Sequence, residues 1–246
     1  MAKRRIGRQM ATTRVLALLA ALVAGIAGGA ADRADADDAP VVVELFTSQG
    51  CSSCPPADAL LRELAQQEGV IPLALHVDYW DYIGWADSFA RPEHTLRQKA
   101  YARAQGGRMI YTPQMVVGGT DGIAGTKPGL VRAALERHAA RDDLLPVTLE
   151  RAGGRLRVTA PRAEAPGDMA VQLVRYRPEA RVKILRGENA GRVFDYVNIV
   201  TRWDVIARWD GRAPLSLKVA IEGDAPVVVI LQDAGHRAVR GVARLR

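Results

Sequence analysis

The sequence predicts an α/β domain, with a central mixed sheet flanked by helices, followed by a C-terminal all-β, sandwich-like module. Residues 41–140 carry patterns in the order strand, helix, strand, helix, strand, strand, helix, which favours parallel strands joined by a helical crossover. Beyond Pro146 the pattern changes to successive hairpins without a helical period. We therefore place a first domain at residues 41–140 and a β-rich module at residues 146–246.

The first domain opens with two apolar strands on either side of a helix. The stretches VVVELF (41–46) and VIPLALHVD (70–78) are short and rich in branched apolar side chains, which indicates buried strands. Between them, leucines recur at helical spacing after Pro55, and a proline in the first turn of a helix removes no hydrogen bond. This order predicts a parallel strand pair with a right-handed crossover.

Two further helices and a hairpin complete the first domain. The segment RPEHTLRQKAYARAQGG (91–107) has a proline near its start and two glycines at its end, which are typical helix boundaries. The segment PQMVVGGTDGIAG (113–125) predicts two short strands joined by a glycine-rich turn. Residues 127–140 predict the last helix, with Thr126 as its N-cap.

The C-terminal module is predicted from three hairpins. Alternating runs flank the dipeptides at residues 153–154, 178–179 and 234–235, and each dipeptide contains residues that favour turns. Short strands in succession with no helix between them are typical of a sandwich.

The N-terminus predicts a secretory signal peptide over residues 1–31. Five basic residues precede an apolar run at residues 15–27, and small residues follow it. The run is too short to span a bilayer comfortably, so we expect Sec-type export to the periplasm or the exterior, with no membrane span after cleavage. Removing the five positive charges lowers the formal net charge from +7 to +2. A nearly neutral protein gives no electrostatic case for nucleic acid.

The two cysteines of the chain form a Cys-Ser-Ser-Cys motif, Cys51 to Cys54, where a strand passes into a helix. Unpaired N–H groups at a helix start stabilise a thiolate, and the second cysteine is close enough to resolve a mixed disulfide. As a staple, a bridge that closes only four residues contributes only about 2 kcal/mol. The motif therefore favours a redox centre over a structural bridge.

A metal site is the alternative for the same cysteines. Structural zinc needs four nitrogen or sulfur donors, and no second cysteine pair exists. His76 falls near the end of the second strand, at the sheet edge where Cys51 is expected. Two thiolates and this imidazole suit copper(I), so a copper-binding or chaperone protein using Cys51, Cys54 and His76 stays open; otherwise we expect no cofactor. The other three histidines are expected at the surface: His94, His138 and His236.

A family resemblance strengthens the redox interpretation. Tyr111-Thr112-Pro113 enters a strand, where a proline fits an edge or a cis turn, and this arrangement with Cys-x-x-Cys at a helix start resembles the thioredoxin fold. The stretches VVELFTSQGCSSCPPADALLREL, LHVDYWDYIGWADSF and YTPQMVVGG resemble more closely a family of bacterial exported thioredoxin-like proteins, catalogued as a domain of unknown function.

The resemblance implies a role for each matching residue. Cys51 is the implied nucleophile and Cys54 the resolving thiol, with Pro113 as a cis-proline facing them. The backbone of Thr112 is implied to pair with an extended substrate. Thioredoxins also carry a buried acid in the first strand. Glu44 is the one candidate, but it stands one residue further from the cysteines than usual, and a solvated strand-end carboxylate is the alternative.

An aromatic segment lies between the second strand and the second helix. Residues 79–89 hold five of the thirteen aromatic residues, and by position they should overhang the cysteine loop. We expect Trp80 and Asp78 to contribute to substrate binding, and a satellite hydrophobic cluster is the alternative for the tryptophans.

The leading functional hypothesis is an exported thiol–disulfide oxidoreductase acting on protein or small-molecule thiols and disulfides. The Ser52-Ser53 centre does not indicate the direction of electron flow. Besides the copper protein, a non-catalytic binding module stays open. Phosphate-binding loops, dinucleotide fingerprints and the common hydrolase motifs are absent from the sequence.

Overall fold

The computed structural model describes residues 32–34 and 40–246. The expected signal peptide, residues 1–31, therefore lies outside the described residues. Of residues 40–246, 41% are in strands and 18% in helices. No helix in this part of the chain is long and apolar enough to cross a membrane.

Within the described residues the helices are α1 (Pro55–Leu64), α2 (Pro92–Ala104) and α3 (Pro128–Ala139), with a single 3-10 turn at Asp81–Ile83. The strands of the N-terminal half are β1 (Asp32–Ala34), β2 (Val41–Thr47), β3 (Val70–His76), β4 (Gln114–Val117) and β5 (Asp121–Ala124). The strands that follow are β6 (Thr148–Ala152), β7 (Arg155–Ala160), β8 (Met169–Lys183), β9 (Val193–Trp209), β10 (Leu215–Ala220), β11 (Val227–Asp233) and β12 (Val239–Leu245).

The described strands form two sheets. The larger sheet has eight strands in the order β12-β11-β8-β9-β3-β2-β4-β5, and the smaller one has the order β1-β6-β7-β10. In the larger sheet, β3 is parallel to β2 on one side and to β9 on the other. The remaining pairs of this sheet are antiparallel. The N-terminal and C-terminal halves therefore meet inside one sheet, at β3 and β9.

The predicted fold class, a helix-flanked thioredoxin-like α/β domain followed by a separate all-β module, is wrong. The described chain has more than twice as much strand as helix, with three helices, and the N-terminal strands do not form a sheet of their own. The physical reason is the pairing of Ala74 in β3 with Ile199 in β9, which continues the hydrogen-bonded sheet into the C-terminal half. The boundary predicted between residues 141 and 146 falls in a segment without helix or strand, and residues on both sides of it contribute to the large sheet.

The predicted hairpin at residues 178–179 is also wrong. The chain runs through Pro178 as one strand, β8, and the turn comes only after Lys183. The neighbouring strand β11 pairs with β8 no further than Arg175, so Pro178 needs no partner for its missing N–H on that side. Asn198, opposite Pro178 in β9, has a positive φ of 48°, and its side-chain amide donates to the Pro72 carbonyl.

The parallel strand pair and the other predicted hairpins are confirmed, but Thr126 is not the N-cap of the last helix. Lys127 is the N-cap of α3, because Pro128 occupies the first helical position, and no side chain caps the helix. The strands β2 and β3 are parallel, and β4 and β5 form the expected hairpin. A tight turn joins β6 to β7, in which Gly153 and Gly154 both have positive φ values, 56° and 71°, that favour glycine. The hairpin at residues 234–235 joins β11 to β12.

The side chains of β2 alternate between the two faces of the large sheet, and helices pack on both faces. Val43 and Leu45 pack with α1 and α3, whereas Phe46 packs with Tyr101 of α2 on the opposite face. Each fully buried aliphatic side chain stabilises the fold by roughly 1.5–3 kcal/mol. The last residue of β2, Thr47, falls on the α1 face, and this alternation determines which polar groups can approach the cysteines.

A buried ion pair joins α2 to both halves of the sheet. Arg97 donates to Glu44 through two N–H groups, at 2.5 and 2.8 Å, and the two side chains are 7% and 1% exposed. The Tyr101 hydroxyl donates to the same carboxylate. Other N–H groups of Arg97 donate to Gln172 in β8 and Gln232 in β11. The network connects β2 and α2 to the C-terminal strands.

We predict that Arg97→Met destabilises the protein by about 3–5 kcal/mol, because it leaves the Glu44 carboxylate buried without its cation. Adding Glu44→Gln should recover part of this loss. Urea unfolding measures both. The matched control is Arg132→Met, which removes an exposed ion pair with Glu63 and should cost less than about 1 kcal/mol. Equal costs for the two arginines would contradict a structural role for the buried pair.

Candidate functional site

The cysteine loop connects the end of β2 to the start of α1. Cys51 and Cys54 form a disulfide, and both are buried, at 1% and 0% exposure, while Ser52 and Ser53 are exposed. Cys54 is the N-cap of α1, and its carbonyl accepts the first amides of the helix. The Ser53 hydroxyl lies 3.5 Å from Cys51 Sγ and is the only possible donor of the two, since a disulfide sulfur carries no hydrogen. The motif thus stands where the sequence predicted, at a helix start.

Pro113 lies beside the first turn of α1. The Thr112–Pro113 peptide bond is cis, in agreement with the sequence analysis. A close approach at Gly125 shows how near the two segments are: a Cβ on Gly125 would stand 2.8 Å from Ala57 Cβ and 3.0 Å from Pro113 Cβ. The Gly125 amide also donates to the Pro113 carbonyl. A glycine is therefore required where the Pro113 loop meets the cysteine helix.

The aromatic segment at residues 79–89 overhangs the cysteine loop, as predicted. The Trp80 indole N–H donates to Thr112 Oγ1 at 2.7 Å, and a Cβ on Gly50 would lie 3.3 Å from Trp80 Cβ. The Trp85 indole donates to Gln49 Oε1 at 2.8 Å. The hydrogen bond between Trp80 and Thr112 therefore joins the aromatic segment to the loop that carries Pro113.

Asp78, the third residue predicted to bind substrate, is bonded to α2. Its carboxylate accepts a hydrogen bond from Thr95 Oγ1 at 2.5 Å. This bond ties the segment after β3 to the helix, and the role of Asp78 in substrate binding stays a prediction.

Asp87 is a buried acid whose carboxylate accepts three hydrogen bonds in the site. Its carboxylate accepts the Gln49 amide at 2.7 Å, the Phe89 amide at 2.8 Å and His76 Nδ1 at 2.7 Å. Burial opposes ionisation of Asp87, but the nearby His76 and these hydrogen bonds outweigh it, so the pKa of Asp87 is lowered. An ionised carboxylate can only accept, so Nδ1 of His76 carries a proton. Its Nε2 is buried and has no hydrogen-bond partner among the described residues.

Asp58 is a second buried acid, one helical turn after Cys54. Its carboxylate accepts a hydrogen bond from the Thr47 hydroxyl at 2.9 Å, and its amide donates to the Cys54 carbonyl. Burial, which disfavours the charged form, raises the pKa of Asp58 to about 7, while His76 and the Thr47 hydroxyl oppose this rise. The site therefore holds a carboxyl group that exchanges a proton near neutral pH.

Glu44 is not the acid of the cysteine face. It is bound to Arg97 on the opposite face of the sheet from α1, and it is buried, so the alternative of a solvated carboxylate is also wrong. The prediction of surface histidines fails for His94, which is buried and donates through Nδ1 to the His76 carbonyl, and for His138, which is buried and bonded to Asp121. Burial lowers the pKa of His94 to about 4. His236 is half-buried rather than exposed, and its ring lies edge-on to that of Tyr101 with the centroids 5.5 Å apart.

The C-terminal half supplies two site residues that the sequence analysis missed. Asn189 donates through Nδ2 to the Gln49 carbonyl at 2.9 Å and to the Cys51 carbonyl at 3.1 Å. The Tyr196 ring packs edge-on against His76, with the centroids 4.9 Å apart. No local pattern predicts these contacts of Asn189 and Tyr196, because their partners lie more than a hundred residues away in the sequence. Asp58, in contrast, was detectable as an acid on the apolar face of α1.

The donor set for copper is not assembled in this state of the protein. Both sulfurs are paired with each other in the disulfide, so neither is a thiolate ligand, and of the two ring nitrogens of His76 only Nε2 has no hydrogen-bond partner among the described residues. Among the described residues, no group of three or more His, Cys, Asp or Glu side chains could hold a metal ion.

Two solved structures resemble this chain. The X-ray crystal structure of protein AGR_C_4864 from Agrobacterium tumefaciens is 32% identical, covers 85% of this chain and 96% of its own, and superposes with a TM-score of 0.73. HBP35 of Porphyromonas gingivalis is 15% identical, covers 85% of this chain and 75% of its own, and has a TM-score of 0.62, which is a likeness of fold alone. None of the curated proteins matches the chain.

A family model matches residues 42–232, which include the cysteine loop, the cis-proline and the Asn189 contact. The match spans more than half of the chain. The protein therefore belongs to the family described as "Protein of unknown function (DUF1223)".

Proposed function

We propose that the protein is a thiol–disulfide oxidoreductase with Cys51 and Cys54 as its redox centre. The observation that carries this proposal is the Cys51–Cys54 disulfide at the first turn of α1. At this place the free amides and dipole of a helix stabilise a thiolate, so the bond is made and broken more easily than a bridge between rigid strands.

The proposed step is thiol–disulfide exchange. In the oxidising direction, a substrate thiolate attacks a sulfur of the pair, the Cys51–Cys54 bond breaks, and the electron pair goes to Cys54 as a thiolate. A second substrate thiolate then attacks the mixed disulfide, which leaves the substrate oxidised and Cys51 and Cys54 reduced. The same steps reverse when the protein acts as a reductant.

Asp58 supports the proton transfers of this cycle. Cys54 gains a negative charge when the disulfide opens and then takes up a proton, in a part of the site that is fully buried. Asp58 follows one turn later on the same helix and has a pKa of about 7, so it can hold or release a proton at physiological pH. His76 and Asp87 lie close enough to Asp58 to influence its charge.

The proposed partners are thiols and disulfides of proteins or small molecules. Pro113 stands beside the cysteine helix, and the Trp80 indole fixes the Thr112 side chain, so the Thr112 backbone is the proposed partner of an extended substrate. We place the activity in the periplasm or outside the cell, in keeping with the expected signal peptide, because disulfides persist in those compartments.

Cys54→Ser should trap a mixed disulfide, because it removes the resolving thiol. With oxidised glutathione, the reduced variant should carry one glutathionyl group on Cys51, detected by intact-mass and peptide-mass spectrometry. Cys51→Ser is the matched control and should react at least about tenfold more slowly, since Cys51 is the proposed attacking thiol and Cys54 only resolves the mixed disulfide. A stable adduct on Cys54 with none on Cys51 would reverse the two roles, and no adduct on either would remove the proposed activity.

Asp58→Asn should change how stability depends on pH. A carboxyl group whose pKa is raised from 3.8 to about 7 stabilises the fold fully below about pH 4, and this contribution is lost as the pH rises through 7. The variant keeps an acceptor for Thr47 but cannot ionise. It should therefore exceed the wild type in stability at pH 8 by up to about 4 kcal/mol and match it near pH 4.

Urea unfolding of the oxidised protein at both pH values measures this difference. The control is Asp142→Asn, which changes an exposed carboxylate and should leave the pH dependence as it is. If Asp58→Asn gives the same difference from wild type at pH 4 and pH 8, Asp58 does not titrate in this range.

A further inference from the structure

The loop between β8 and β9, residues 184–192, lies across the cysteine loop, and we refer to it as the strap. Its anchor is Asn189, which is buried at 1% exposure. Both N–H groups of the Asn189 amide are used, one on the Gln49 carbonyl and the other on the Cys51 carbonyl. The amide oxygen accepts a hydrogen bond from Arg192 at 2.9 Å, which fixes the orientation of the amide.

The strap also meets the aromatic segment. A Cβ on Gly187 would stand 3.3 Å from Trp85 Cβ and 3.5 Å from the Ile83 carbonyl oxygen. Ile83 in turn approaches Gly50, where a Cβ would stand 3.2 Å from Ile83 Cδ1. The cysteine loop is thus held between the aromatic segment and the strap. These two segments come from different halves of the chain and contact each other.

The burial of the disulfide under these segments conflicts with the requirements of thiol–disulfide exchange. An attacking thiolate must approach a disulfide sulfur along the axis of the bond that breaks. Cys51 and Cys54 are at most 1% exposed, so the described conformation leaves no such path. The serines between them are exposed, and a partner meets these first.

We propose that the strap is a gate and that Asn189 is the residue which determines the access of thiols to the redox centre. This inference rests on the proposed redox function. Exchange proceeds from an open state in which the two bonds from Asn189 to the cysteine loop are broken. The observed rate is then the rate of exchange in the open state multiplied by the open fraction.

A gate of this kind has a distinctive signature. Asn189 binds main-chain carbonyls, which are present whether the cysteines are oxidised or reduced. Weakening its bonds should therefore speed reduction and reoxidation by the same factor and leave the equilibrium between the two forms unchanged. A residue that tunes the redox centre itself would change the equilibrium.

The test uses dithiothreitol as the reductant of the oxidised full-length protein. One dithiothreitol thiolate attacks the protein disulfide, the Cys51–Cys54 bond breaks, and the second thiol closes the dithiothreitol ring and releases both cysteines as thiols. Asn189→Asp keeps the shape of the side chain but replaces its donors by acceptors facing two carbonyls. We expect reduction to accelerate by on the order of tenfold, the effect of losing two neutral hydrogen bonds.

Two further variants make the result interpretable. Ala190→Asp adds the same charge at the neighbouring exposed position and should leave the rate within about twofold of wild type. Asn189→Ala removes the bonds without adding charge, and it should also accelerate reduction if Asn189→Asp fails to fold. The equilibrium with dithiothreitol is measured for each variant.

Acceleration in both Asn189 variants at an unchanged equilibrium constant supports the gate. Unchanged rates, or a shift of the equilibrium constant as large as the change in rate, overturn it. The proposed function can fail separately, because the glutathione adduct of Cys54→Ser is scored at the end point of the reaction, which does not depend on the rate at which the strap opens.

Discussion

The parallel contact between β3 and β9 is the constraint on which the rest of this structure depends. It is short, with Ala74 opposite Ile199 as its register, and is reinforced by the hydrogen bond from Asn198 to the Pro72 carbonyl and by the packing of Tyr196 on His76. The loop that joins β8 to β9 reaches the cysteine loop after β2, where Asn189 donates to the carbonyls of Gln49 and Cys51. One sheet thus brings the strap to the cysteine loop, across more than a hundred residues of sequence.

The buried polar groups on the two faces of the large sheet have different roles. On one face, Glu44 and Arg97 neutralise each other and satisfy the surrounding amides and hydroxyls, which is the arrangement of a structural network. On the cysteine face, Asp58 is buried with no cation from the described residues bonded to it, and within the same part of the chain Nε2 of His76 lacks a partner. An arrangement that leaves an acid poised near neutral pH costs stability and is typical of a functional site. The alternation of β2 keeps the two sets of charges apart.

Local patterns predicted the elements well and the assembly poorly. Strands and helices of residues 41–140 follow from apolar periodicity and from proline and glycine at their ends, and the motif at Cys51 and Cys54 was visible in the sequence. The hairpin expected at Pro178 failed because a turn-forming dipeptide can also lie in an edge region of a long strand. The prediction of a separate all-β module failed because no local sequence pattern indicates the pairing between β3 and β9. For the same reason Asn189 could not be found, whereas Asp58 was within reach as an acid on an apolar helical face.

The measurement that tests the central claim most directly is the reduction potential of the Cys51–Cys54 couple, determined by equilibration in glutathione buffers. A redox centre at the start of α1 should have a potential above about −300 mV, within the range of cellular thiol couples. A potential well below about −300 mV would mark the bond as a structural bridge and contradict the account.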